Sequence, residues 1–236
     1  MSNTSIYNNQ DVTTDSTYES YNNLIFSGDV RILSKFIQRT KFYELTKNLI
    51  GDIVECGVFR GSGMGVFLNL IKMNEPISQT KVIGFDFFDT KIALEQFENT
   101  DTDFMNKVLD RVDPNELNLQ SVKNNLERLG AIYDKNFLLI QGNINLTSKD
   151  FALKNPGFRI KILYLDLDVG DATYTTLCNL WDKIVVGGIV ILDEYSYHIY
   201  TESDGVDRFL REKKLHVRLI NTGIYSPTAY FIKEHL

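Results

Sequence analysis

A doubly wound α/β sheet, mostly parallel, preceded by helices and closed by a C-terminal antiparallel hairpin, is the fold class this sequence predicts. Three observations carry it. Five short apolar runs stop at acids or glycine turns: Asp52 to Gly57, Lys81 to Asp86, Asn136 to Gly142, Lys161 to Asp168 and Gly188 to Glu194. Stretches with helical spacing alternate with them. Two further β-rich runs, His216 to Ile220 and Thr228 to Ile232, flank a turn at Gly223 to Pro227.

Residues 1–28 are rich in Asn, Thr, Ser and Asp, and so little apolar surface cannot offset ordering entropy; a flexible or arm-like segment is expected. Residues 29–236 are expected to form one domain. From Val30, the residues Ile32, Leu33, Phe36, Ile37, Tyr43, Leu45 and Leu49 recur near helical spacing and predict one or two helices with that face inward. Asp52 to Gly57 is a buried strand entering a glycine turn, and Gly61-Ser62-Gly63 opens an apolar helix to Met73. Such a junction offers free N–H groups and a helix dipole to an anion, or it is a tight turn without a ligand. The strand ending at Asp86 has the same two faces: an acceptor for ribose hydroxyls or a loop cap.

Residues 87–112 form a long irregular segment with many acids and aromatics, as in lids and binding loops. Asp113-Pro114-Asn115-Glu116 reads as a helix start, with Leu119, Val122, Leu126 and Leu129 as its stripe and Gly130 as its stop. A strand from Asn136 ends at Gln141-Gly142-Asn143, and a short helix spans about Ser148 to Lys154. Asp171 is expected to cap a helix whose Leu177, Leu180, Trp181 and Ile184 face the core. An aromatic loop, Tyr195 to Tyr200, and a helix from Ser203 to about Lys213 precede the hairpin.

Length bounds the reading to one core: 236 residues bury roughly three quarters of the unfolded surface. A net charge of -6 and a pI near 5.2 leave no broad cationic footprint, so no nucleic acid and no membrane partner are expected. The first twenty residues lack the basic-then-apolar order of a secretory signal, and cytoplasmic residence is the expectation. Two cysteines, Cys56 and Cys178, in apolar contexts allow neither a disulfide framework nor a cysteine-rich zinc site.

The chemistry converges on two strand ends. Asp166 and Asp168, two apart, lie on one side of their strand, and Asp193-Glu194 ends the next. Packed carboxylates repel, so a cation or a proton must relieve them.

Glu55-Cys56-Gly57-Val58-Phe59-Arg60-Gly61-Ser62-Gly63, Gly84-Phe85-Asp86-Phe87-Phe88, Leu165-Asp166-Leu167-Asp168 and Gly187-Gly188 through Asp193-Glu194-Tyr195, in that order, resemble the macrocin O-methyltransferase family. The resemblance covers about residues 30 to 233. It implies a class I methyltransferase (Rossmann-like) fold and an S-adenosylmethionine (SAM)- and Mg2+-dependent enzyme that methylates a sugar hydroxyl, on a nucleotide-linked sugar or a glycosylated product. Carried over residue by residue, Glu55, Cys56, Gly57, Gly61 and Ser62 would hold the methionine end of SAM. Asp86 and Phe87 would border the ribose and adenine, with Gly142 and Asn143 on the adenine's other side. Asp166, Asp193 and Glu194 would bind Mg2+, and Asp166 also falls at the family's candidate general base.

His198 is a second candidate base, its alternative being an exposed loop histidine. Asp168 is expected to cap or support, not to ligate. The chain departs from the family at Val169-Gly170-Asp171-Ala172-Thr173, where a Leu-Tyr pair is common, and in having Glu194 where Asp is common. A homodimer or higher oligomer is expected, with the acceptor pocket drawn from residues 1 to 28, Phe87 to Val112 and Tyr195 to Ser203. Two other readings stand beside this one. A nicotinamide-linked oxidoreductase shares the glycine turn but lacks the G-x-G-x-x-G spacing, and a SAM- or sugar-binding protein without turnover would share the site.

Overall fold

The computed structural model describes residues 13–89 and 113–235. Among these, one seven-stranded sheet runs in the order β3-β2-β1-β4-β5-β7-β6. Its strands are β1 (Asp52–Cys56), β2 (Val82–Asp86), β3 (Phe137–Gln141), β4 (Ile160–Leu165), β5 (Ile184–Leu192), β6 (Ile220–Asn221) and β7 (Ala229–Ile232). The first five pair in parallel, and β7 runs antiparallel to both β5 and β6. The expected doubly wound sheet with an antiparallel edge is thus the observed one. The order of the strands reverses between β1 and β4, which makes their carboxyl ends the switch point where open α/β sheets bind ligands.

Period-two alternation divides the sheet's side chains between two cores. Ile53, Ile162, Tyr164, Ile189 and Ile191 face α2 (Val30–Thr46), α3 (Ser62–Asn74) and α4 (Leu119–Glu127), where Phe42, Met64, Phe67, Val122 and Leu126 meet them. Val54, Cys56, Phe85, Leu163, Leu165 and Leu192 face α5 (Ile144–Lys154), α6 (Gly170–Leu180) and α7 (Glu202–Glu212). Wholly buried rings such as Phe67 and Phe209 contribute about 1.5–3 kcal/mol each through removal from water. Trp181 packs edge-on against Phe209 at 5.3 Å between centroids and is core, as its spacing predicts.

Residues 13–26 of the expected arm form a helix, α1 (Thr13–Phe26); residues 1–12, and residues 90–112 of the irregular segment, lie outside the described residues. Several local readings are corrected. The inward face of α2 is Gln38, Arg39, Phe42, Tyr43 and Thr46, while Ile32, Phe36, Ile37 and Leu45 are exposed. Pro114–Glu116 is only a 3-10 turn, and α4 starts at Leu119 with the Asn118 side chain accepting from Ser121 N at 2.9 Å. Asn143 opens α5 four residues before the expected start by accepting from Asn145 N at 2.9 Å. Asp171 lies in the first turn of α6, exposed and paired with Arg208, and Val169 is the cap residue.

Candidate active site

Main-chain pairing carries the sheet past its strand ends and into the site. Gly57 N donates to Phe85 O, Gly142 N to Asp86 O, Asp166 N to Cys56 O and Asp193 N to Leu165 O, all at 2.8–3.0 Å. The residues picked from four separate motifs therefore stand in one row along the carboxyl edge.

The glycine turn is built for close approach. Gly57 has φ 87°, and a Cβ there would lie 1.8 Å from Asp166 O, so the turn rests directly on the start of the acidic segment. Gly61, at φ 82°, caps α3 without a side-chain bond, which leaves the helix's first N–H groups without a side-chain acceptor. Asp86 fastens the turn to β2: its Oδ2 accepts from Val58 N at 2.7 Å and Phe59 N at 3.0 Å, and its Oδ1 from Phe88 N at 3.0 Å. The loop-cap reading of Asp86 is therefore present in the structure. A carboxylate has about four acceptor positions, so one remains for a hydroxyl.

Glu55 is buried on the α2 face and its Oε1 accepts from Arg39 Nη2 at 2.9 Å, while Oε2 has no partner. Burial pushes this carboxyl up, against the lowering charge of Arg39. Cys56, the next residue, turns its side chain into the opposite core, and burial followed by the Glu55 charge pushes its thiol well up; it reaches the site only through its main chain. Ser62 is exposed at the start of α3. Phe88 is buried at φ 49°, whereas Phe87 stays at the rim with its carbonyl held by Gln141 Nε2 at 3.1 Å. Gly142 takes φ 128° beside them, and Asn143 is the cap of α5. An open groove of about 640 Å³ between α3 and α4 shares Gly61 and Ser62 with the turn but holds none of the clustered acids.

Oxygen atoms of Asp166, Asp168 and Glu194 gather within 4.8 Å of one another. This trio contains Asp168, expected only as support, and omits Asp193. Asp193 is instead engaged on both oxygens: the Tyr164 hydroxyl donates to Oδ1, and Ser226 Oγ and Lys35 Nζ, the latter at 3.1 Å, donate to Oδ2. Burial pushes Asp193 up, but the Lys35 charge and side-chain hydrogen bonds with Glu194, Ser226 and Tyr164 outweigh it and hold it below its usual range. Burial, then the Asp193 charge, pushes Asp166 well up; burial, then Asp166, pushes Glu194 well up. Burial, then the charges of Asp168 and Glu194, raises the nearby Tyr200 phenol.

Whether these residues fit a divalent cation has a direct test in the structure. Glu194 is buried and its Oε2 has no hydrogen-bond partner, an orphan that a buried carboxylate does not keep without cost. It belongs to a set of hard oxygen donors in which Asp166 and Glu194 are both pushed well up by burial and neighbouring carboxylates, the donor chemistry that Mg2+ takes. The residues fit the ion.

Sequence reasoning missed Lys35 and Arg39, which α2 sends into the acids from 158 and 16 residues away. Arg39 also lies 4.4 Å from the centre of the Tyr164 ring. Their i, i+4 spacing was visible; that this face turns inward was not. Gly170 is explained as well: a Cβ there would lie 2.5 Å from Thr201 O, and Gly205 would clash with Gly170 O in turn. The main chain of α7 fills the space that the family's common tyrosine would need. His198 is exposed in the loop before α7.

This strand order, with a glycine turn after β1 and an acid ending β2, defines a class I SAM-dependent methyltransferase. Among solved structures, the calicheamicin methyltransferase CalS11 superposes with a TM-score of 0.70 at 22% identity, covering 95% of this chain and 87% of that one. The O-methyltransferase NovP does so with a TM-score of 0.71 at 21% identity, covering 86% and 80%. Demethyldecarbamoylnovobiocin O-methyltransferase of Streptomyces niveus is 26% identical over 160 residues, 63% of this chain and 54% of that protein; the chain thus spans about half of that relative's length. The family model for macrocin-O-methyltransferase (TylF) matches residues 31–231, and the chain belongs to that family. That membership displaces the oxidoreductase reading.

Proposed function

We propose that this enzyme transfers a methyl group from SAM to a sugar hydroxyl, on a nucleotide-linked sugar or a glycosylated small molecule, with Mg2+ at the strand-end carboxylates and in a homo-oligomer. The observation that carries the metal part is the gathering of oxygens of Asp166, Asp168 and the buried Glu194 within 4.8 Å of one another. The acceptor class is supported by the relatives' names, which include a TDP-rhamnose 3'-O-methyltransferase and an enzyme acting on a novobiocin precursor.

Methyl transfer needs an acceptor oxygen held in line with the sulfonium methyl and relieved of its proton. SAM supplies the electrophilic methyl, and a bound divalent cation supplies charge that polarises the acceptor oxygen. Glu55 receives the cofactor's ammonium at its free Oε2, and the uncapped start of α3, at Gly61 and Ser62, receives its carboxylate. Asp86 takes a ribose hydroxyl, with Phe87, Gly142 and Asn143 around the base. Asp166, at the end of β4, accepts the acceptor's proton. His198, on its exposed loop, is the second candidate for that step.

Mass spectrometry of products after incubation with SAM, Mg2+ and a panel of nucleotide sugars, with and without EDTA, tests this. One product heavier by a methyl group is expected, lost with EDTA. SAM binding with no methylated product across the panel overturns the acceptor class, and undiminished transfer in EDTA removes the metal.

A further inference from the structure

Three tyrosines that the chemistry leaves unused stand beside the strand ends. The aromatic loop after β5 contributes Tyr197 and Tyr200, and the turn between β6 and β7 contributes Tyr225. Their rings lie in series: the centroids of Tyr225 and Tyr197 are 5.3 Å apart and those of Tyr197 and Tyr200 6.3 Å, with tilts of 52° and 38°. Tyr195 of the same loop goes elsewhere, its hydroxyl donating to Asp207 Oδ1 of α7 at 2.8 Å and its ring packing on the core.

Each of the three rings hangs from a strand-end acid. Tyr197 N donates to Glu194 O at 3.0 Å, and Thr201, the residue after Tyr200, donates its N–H to Asp168 O at 3.2 Å. Ser226, the residue after Tyr225, donates its hydroxyl to Asp193 Oδ2. The Tyr197 hydroxyl donates to Tyr225 O and ties the two loops together. Burial first, then Tyr225 and the charges of Glu194 and Asp193, pushes the Tyr197 phenol up to about 12, in keeping with a ring that borders the acids. Core packing does not account for this wall, since Tyr225 is 64% exposed and Tyr197 and Tyr200 are only half-buried. Rigid rings beside a few convergent polar groups are the lining of a small-molecule site.

We propose that Tyr197, Tyr200 and Tyr225 are the platform on which the acceptor sugar lies, its C–H face against the rings and its hydroxyl edge turned to the acids. The inference rests on the acceptor reading above and assigns its pocket. A pyranose has C–H groups on its faces and hydroxyls around its rim, so the negative face of an aromatic ring meets the first and carboxylates meet the second. A sugar held flat presents one hydroxyl in a fixed direction, which in-line transfer requires. Because both loops are pinned to the acids before the sugar arrives, and a tyrosine is placed by two torsions, little ordering is left for the acceptor to cover.

The experiment is binding of TDP-rhamnose, UDP-glucose and p-nitrophenyl rhamnoside to the full chain, with S-adenosylhomocysteine and Mg2+ present. Saturation-transfer difference NMR and calorimetric titration read it for wild type, Tyr225→Ala and Tyr225→Phe, with SAM titration and circular dichroism as checks on the cofactor site and the fold. Tyr197 bonds to the main chain of Tyr225, so the alanine variant keeps that tie. For the sugar that binds, the strongest saturation is expected at its ring C–H protons, with affinity about tenfold weaker in Tyr225→Ala and within about twofold of wild type in Tyr225→Phe. Wild-type affinity in Tyr225→Ala overturns the inference and leaves the acceptor reading standing. So does saturation concentrated on the nucleobase or the nitrophenyl ring, or an equal loss in both variants, which would make the hydroxyl the contact and not the ring. Binding of none of the three probes by the wild type removes the acceptor reading itself, and this inference with it.

Discussion

At the scale of single residues, two glycines two residues apart in α3 are under opposite constraints. A Cβ at Gly63 would lie 2.0 Å from Glu55 Oε1 and 2.6 Å from Arg39 Nη2, so a methyl group there must push apart a buried ion pair. Gly65 has only Leu129 Cδ1 nearby, at 3.5 Å. Gly63→Ala is expected to weaken SAM binding about tenfold or more, since a disturbed charge-assisted bond costs about 1.5–3 kcal/mol and Glu55 would no longer be aimed at the cofactor's ammonium. Gly65→Ala should bind normally and be more stable by up to about 1 kcal/mol, from helix propensity. Isothermal titration with SAM and thermal melts of both variants decide the matter; equal affinities would remove Glu55 from the cofactor site.

Elements are tied together by charges that pattern alone does not reveal. Glu75, at the end of α3, accepts at Oε1 from Tyr43 of α2 at 2.6 Å and from Lys161 of β4 at 3.0 Å, and Lys161 is wholly buried. One carboxylate thus joins two helices to the sheet. Burial pushes it up, but hydrogen bonds from Tyr43 and Lys161 outweigh that and hold it below its usual range. A depressed carboxylate contributes stability that is present above its unfolded pKa, about 4.3, and lost as pH falls through the lower folded value. Glu75→Gln should therefore cost about 2 kcal/mol at neutral pH, read as a lower urea midpoint, and the gap to wild type should close in strong acid. A gap that persists there would mean that packing, not charge, is what Glu75 supplies. The same logic separates what the sequence discloses from what it hides. Strands β1, β2, β4 and β5 were legible because a strand buried on both faces must be apolar throughout. Glu55, Asp86 and Asp166 were legible because strand ends are where such sheets bind ligands. The inward face of α2 was not, because Gln38, Arg39 and Thr46 are buried by partners on distant strands and loops. Nor was the engagement of Asp193 on both oxygens, which depends on Lys35 and Ser226 arriving from both ends of the chain.

For the molecule as a whole, the inversion of α2 has a consequence on the outside. Lys35 and Arg39 point inward to Asp193 and Glu55, as do the buried Phe42 and Tyr43, while Val30, Ile32, Phe36 and Ile37 of the same helix are exposed, and so is Phe26 of α1, at 82%. Helix α1 makes no extended contact with another described element, and an isolated helix of 14 residues is marginal in water. Large apolar residues exposed in this number on two successive helices are an interface or a liability. The reading that accounts for both helices is a homo-oligomer in which α1 and the outer face of α2 are covered by a second copy, burying about 800 Å² per partner, the size at which stable interfaces form. Light scattering of the wild-type protein should give a dimer or higher mass, and Ile32→Glu combined with Phe36→Glu should give a monomer with an unchanged strand content by circular dichroism. Because Lys35 and Arg39 lie on the same helix, the monomer should also bind SAM more weakly, as α2 loses the support that keeps Arg39 on Glu55. A monomeric wild type would reject the interface. A monomeric variant with full SAM affinity would confine the helix's outer face to assembly and leave the site to its own chain.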